Sequence, residues 1–125
     1  MRQNVVFIHA VKLERHEEIL ESYINLMIKS GLMDKLECIY IFGYGGDINL
    51  SNYHEKIIMI NLPNPINLYE QITLENLYDF CKRHPVGYNI LYLHTKGVGK
   101  PINQAIEDWR NYMCYFLIEK HANCI

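Results

Sequence analysis

The chain has 125 residues, half of them hydrophobic, and a formal net charge of −2 at pH 7. That length can bury the core of one domain without disulfide staples. The near-neutral balance excludes nucleic-acid binding driven by overall positive charge, and equally a polybasic membrane anchor, while leaving room for a local basic site.

In chain order, residues 4–9 read as the first strand. Val5, Val6, Phe7 and Ile8 are continuous, β-favouring and apolar, as in the centre of a covered parallel sheet. The run is too short for a signal peptide or a membrane span, so neither is expected. Residues 14–30 change to helical period: Ile19, Tyr23 and Met27 stack with Leu20, Ile24 and Ile28, acidic residues sit at the start, and Gly31 offers a stop. Residues 37–42 and 56–62 give the second and third strands, separated by the exit Gly43-Tyr44-Gly45-Gly46-Asp47 and a polar loop at 49–54. Pro63 and Pro65 end the third strand and prevent a helix from starting at once. Thr73 is expected to cap a helix reaching Arg83, with Leu74, Leu77, Tyr78 and Cys81 on its apolar side. Residues 89–93 form a fourth strand, read as buried on both faces. Residues 103–121 form a last helix, with an apolar stripe of Ile106, Trp109, Met113, Phe116 and Leu117, and with Glu107, Arg110, Asn111 and Glu119 on its wet side.

Alternation of continuous apolar strands with amphipathic helices predicts a single α/β domain. Its sheet is Rossmann-like and mostly parallel, with helices on both faces. The cysteines Cys38, Cys81, Cys114 and Cys124 form no C-x-x-C pair and have no histidine at zinc-finger spacing, so buried free thiols in a reducing cytoplasm are expected.

The most informative stretch begins at Tyr88 and ends at Pro101. A short apolar strand ends abruptly in His94, Thr95 and Lys96, after which Gly97 and Gly99 let the backbone turn. Ligands of open parallel sheets bind at the carboxyl ends of the strands. A cationic, glycine-containing exit there suits a phosphate or diphosphate, held by Lys96, Lys100 and backbone N–H groups. The stretch is not a P-loop, since His94 and Pro101 stand where that motif needs Gly and Ser or Thr. An ordinary turn with solvated lysines is the alternative.

Three segments bear on this reading together. Tyr69-Glu70-x-x-Thr73-Leu74, then Leu91-Tyr92-Leu93-His94-Thr95-Lys96-Gly97-Val98, then Asp108-Trp109-Arg110-x-x-Met113-x-x-Phe116 resemble a group of small GT-A-type glycosyltransferases and glycosyltransferase-like proteins of large DNA viruses and some bacteria. The resemblance implies a nucleotide-sugar-binding half, with His9, Ala10 and Val11 meeting the nucleotide and Gly43, Tyr44 and Asp47 along the same rim. His94, Thr95, Lys96 and Gly97 would occupy the place of the usual Asp-x-Asp metal motif. A lysine there repels a divalent cation but neutralises a diphosphate directly, which removes the usual reason for Mn2+ or Mg2+. Glu70 would orient a sugar hydroxyl or act as a base. Arg110 could reach a phosphate or sit in water, and Asp47 is the one residue suggested for a metal.

The implied donor is a UDP- or GDP-sugar, and the implied acceptor a glycan or a protein. The acceptor half of such enzymes is not recognised in this sequence, so a complete reaction would need a partner chain, a homodimer that completes the cleft, or an acceptor small enough to be held by this half alone. No nucleic-acid partner is expected, and the location implied is cytoplasmic, or host-cytoplasmic for a viral protein. The rival from a different class is a non-catalytic remnant of the fold that binds a protein or dimerises.

Overall fold

A computed structural model describes residues 2–50, 52–63, 70–95 and 103–123. The chain divides into two compact units, one of Met1–Lys12 and Leu36–His94, the other of Leu13–Lys35 and Thr95–Ile125. The first carries β1 (Gln3–Val11), β2 (Leu36–Tyr44), β3 (Ile57–Asn61), α3 (Gln71–Arg83) and β4 (Tyr88–His94). The second carries α1 (His16–Ser30), α2 (Leu32–Lys35) and α4 (Gln104–Cys114), which runs on into a π-helical turn at Tyr115–Glu119 and a 3-10 turn at His121–Asn123.

All four strands are parallel, in the order β3-β2-β1-β4. This is the α/β, Rossmann-like sheet expected from the continuous apolar runs. On one face Val5, Phe7, Cys38, Phe42 and Tyr44 form a core with Phe80 of α3. Phe7 sits at its centre, with ring centroids 5.0 Å from Tyr40, 5.6 Å from Phe42 and 5.3 Å from Phe80. Residues pointing the other way, Val6, Ile8, Ile39, Ile41 and Leu93, are also fully buried.

Several expectations change. β4 is an edge strand of the sheet, and only Leu93 of its residues is fully buried, so it is not a strand covered on both faces. Thr73 is not a cap: α3 starts two residues earlier, and its buried residues are Thr73 and Phe80, with Leu74, Tyr78 and Cys81 exposed. Of the described cysteines, Cys38 and Cys114 are buried free thiols and Cys81 is an exposed one. In α1 the core positions are Ile19, Leu20, Tyr23, Ile24 and Met27, while Ile28 is exposed; Gly31, in the left-handed region at φ 85°, closes the helix as expected.

The last helix departs furthest. Its α-helical part ends at Cys114, and its inner positions are Arg110, Cys114, Ile118 and His121, near helical spacing. Trp109, expected in the core, is 54% exposed, whereas Arg110, expected in water, is 5% exposed. The buried guanidinium is tolerated because Nη1 of Arg110 donates to Glu107 at 2.8 Å, and the other oxygen of that carboxylate accepts from Arg15 at 2.7 Å. The two arginines hold the Glu107 carboxyl below its ordinary range.

Candidate functional site

Strand order reverses beside β1: the chain proceeds from β1 to β2 to β3 on one side and then places β4 on the other. In an open parallel sheet the crevice at such a reversal, outside the carboxyl ends of the strands, is where ligands lodge. His9 of β1 and His94 of β4 are register partners there. Both therefore stand at the last rung of the β1–β4 ladder, on the face that also carries Phe7 and Tyr92.

His9 is held from two sides. Its ring packs against Tyr44 at a centroid distance of 4.8 Å, and its Nδ1 is 2.9 Å from the hydroxyl of Thr73. The Tyr44 hydroxyl lies 2.6 Å from the same Thr73 oxygen. Thr73 has one proton to give. A relay in which Tyr44 donates to Thr73 and Thr73 donates to Nδ1 satisfies all three groups and leaves the ring proton on Nε2. Burial lowers the pKa of His9, the Glu70 carboxylate partly offsets this, and His94 adds to the lowering. A neutral ring that accepts at Nδ1 is the form this environment favours.

Glu70 is the residue before α3. Its side chain makes no capping bond to the helix. Its carboxylate accepts instead from the Tyr92 hydroxyl, two residues before His94 on the same face of β4. Burial, followed by the bond to Glu70 and its charge, raises the pKa of Tyr92, so the phenol keeps its proton and remains a donor. Glu70, Tyr92 and His94 are half-buried, in contrast to the fully enclosed Thr73 and Tyr44. The group thus has a sealed layer, Tyr44–Thr73–His9, beneath an accessible one.

The rim adds a cation not expected from the sequence. Lys12 comes directly after β1, its backbone N–H donates to the Tyr44 carbonyl at 2.8 Å, and its side chain crosses Gly46. A Cβ on Gly46 would stand 2.9 Å from Lys12 Cδ and 3.7 Å from Nζ, so the bare glycine makes room for the lysine. The signal in the sequence is the position of Lys12 right after the His9-Ala10-Val11 exit. Tyr92 and Thr73 carry no such signal as site members, because only the fold brings them to His94 and His9.

The remaining expected residues are spread more widely. Ala10 is fully buried and Val11 half-buried. Gly43 is buried, and a Cβ on it would stand 2.7 Å from Asn61 Oδ1, an oxygen that accepts from the Ile48 N–H, so its constraint is internal packing. Asp47 is exposed at the edge of a pocket of about 320 Å³ shared with Gly45, Gly46, Asn61, Leu62 and Pro63. Among the described residues no three of His, Cys, Asp and Glu gather as a metal would require. Thr95, buried, and Arg110, paired with Glu107, belong to the second unit. Lys96 and Gly97 lie outside the described residues, as do Tyr69 and Cys124. No described helix is long and apolar enough to cross a membrane.

A family model with the description "Domain of unknown function (DUF8361)" matches residues 4–124, and the chain belongs to that family. No curated protein and no solved structure matches it.

Proposed function

We propose that this DUF8361 member is a glycosyltransferase-like domain that binds a nucleotide-diphosphate sugar at the carboxyl ends of β1 and β4. The observation that carries the reading is the order reversal at which His9 and His94 meet, with Glu70 and Tyr92 beside them and Lys12 on the glycine exit. The resemblance of the His94-Thr95-Lys96-Gly97 segment to small GT-A-type enzymes supports the same site.

In this reading the nucleotide lies along the β1 and β2 exits, beside Val11 and Lys12. The diphosphate is neutralised by Lys12, and the resemblance implies Lys96 as a second cation, so a divalent metal is not required. Glu70 is the base or the acceptor of a sugar hydroxyl bond, and the Tyr92 hydroxyl fixes the direction of its carboxylate. A glycan or protein acceptor, and a second copy or partner chain that completes the cleft, belong to the same proposal. Isothermal titration with UDP-, GDP- and dTDP-sugars, with and without manganese, tests it. Saturable heat with one donor supports the reading, and no heat with any of them rejects it.

A second reading has its own observation. Trp109, Tyr112, Tyr115 and Phe116 are all exposed, and Phe116 packs edge-on against both tyrosines, at 4.9 and 5.1 Å. Exposed aromatic groups of this kind mark association surfaces, which suits a non-catalytic remnant that binds a protein or dimerises. A tight dimer by size measurement, with neither donor binding nor sugar-nucleotide hydrolysis, would favour this second reading.

A further inference from the structure

A second concavity lies at the opposite end of the same strands. Arg2 precedes β1, Tyr88 opens β4, and Arg83, His84, Val86 and Gly87 form the end of α3 and its turn into β4. These residues line a pocket of about 500 Å³, a size typical of small-molecule sites. Gln3 and His9 are six residues apart on β1, roughly 20 Å at the rise of a parallel strand. The pocket is therefore separate from the carboxyl-end site and does not depend on its assignment.

Its chemistry is cationic. Arg2 and Arg83 contribute two guanidinium groups, no Asp or Glu lines the pocket, and neither arginine makes an ion pair among the described residues. The nearby Lys82 is turned elsewhere, with its amine 5.5 Å from the Tyr78 ring centroid. Two charges oppose the arginines. The carbonyl end of α3 contributes about half a negative charge, and Glu37 acts on the Tyr88 hydroxyl. Even with both counted in full, two guanidinium groups leave the pocket positive.

The parts are also held in place. Gly87 adopts φ +88°, and a Cβ on it would stand 3.5 Å from Arg2 Cζ and Nε, so the guanidinium rests on the bare backbone of the turn. The His84 ring is fixed between Phe80, 4.4 Å away, and Tyr88, 5.2 Å away. Val86, 89% exposed, adds an apolar wall.

We infer that this pocket binds a phosphomonoester, with the phosphate between Arg2 and Arg83 beside His84 and the organic part on the Val86 wall. Forked guanidinium donors match the oxygen pairs of a phosphate, which a lysine ammonium would meet only as a point charge. A soluble phosphate ester and a phosphorylated lipid headgroup present the same chemistry.

The test titrates the full chain with phenyl phosphate, and separately with phosphatidylcholine vesicles with and without phosphatidic acid. Saturable binding of phenyl phosphate assigns a soluble ester, and binding only to the vesicles with phosphatidic acid assigns a headgroup. In either case Arg2→Gln and Arg83→Gln each weaken binding about tenfold or more, while Lys82→Gln, which removes equal charge outside the pocket, changes it less than about twofold. Both arginines are exposed, so the variants should keep the wild-type circular dichroism. Absence of binding to either probe, or binding that the two arginine substitutions leave unchanged, overturns the inference.

Discussion

Helices α3 and α4 both carry apolar and charged residues at helical spacing, yet only α3 buries an aromatic side chain and only α4 buries a charged one. α3 turns Phe80 and Thr73 inward, into the aromatic core around Phe7 and onto His9. α4 buries Arg110 and Cys114 and leaves Trp109 and Tyr112 in water. The difference teaches that size and apolarity do not by themselves select the inner face. A polar side chain goes inside when the fold supplies its partner, as Glu107 does for Arg110 and as His9 and Tyr44 do for Thr73.

The sharpest way to break this contrast is to truncate the aromatic that α3 buries. Phe80→Ala should cost about 3–5 kcal/mol in urea unfolding, because Phe80 contacts Phe7, Tyr40 and Tyr88 at once and its removal leaves a cavity. A loss below about 1 kcal/mol would mean that α3 does not seal that face. Thr73→Val keeps the shape but removes the oxygen shared by His9 and Tyr44. It should cost about 1–3 kcal/mol, the penalty for stranding buried polar groups. An unchanged urea midpoint would show that water or another partner satisfies them.

A pH series probes the same cluster from its histidine. Because the native pKa of His9 lies below the ordinary 6.5, the unfolded chain takes up a proton that the native ring refuses. Stability should be insensitive to this group above 6.5, and should fall as pH drops from 6.5 toward the lowered native value. His9→Gln should flatten that part of the urea-midpoint profile, and parallel profiles for the two proteins would contradict the assignment. The smallest effect belongs to α4: Trp109→Ala should cost about 1 kcal/mol, well below the loss at Phe80, because more than half of the indole is already exposed. A cost comparable to that of Phe80→Ala would erase the contrast between the helices.

The strands were legible because a parallel sheet buried on both faces leaves an unbroken apolar run, as Val5 to Ile8 do, and α1 was legible from its period and Gly31. Strand order was not. Nothing local in the sequence says that β4 lies beside β1, so the meeting of His9 and His94 could be expected only as two separate strand exits. The edge position of β4 was hidden for the same reason: Ile90, Leu91 and Tyr92 look alike in a central strand and an edge strand. Thr73 read as a cap because threonine is good at both tasks, and only the closeness of Tyr44 and His9 shows which it performs. Lys12 stood out less than the lysine after Thr95, which has glycines around it. The inversion of Trp109 and Arg110 needed knowledge of Glu107 and of Arg15, far away in sequence.

The most direct measurement of the central claim is amide-resolved NMR of the full chain during titration with the sugar nucleotide that gives heat. Binding at the strand reversal predicts saturable shifts at Lys12, Gly45, Gly46 and His94 with one common affinity, weakened about tenfold in Lys12→Gln. Shifts confined to other residues, or an affinity indifferent to Lys12, would contradict a donor site at the carboxyl ends of β1 and β4.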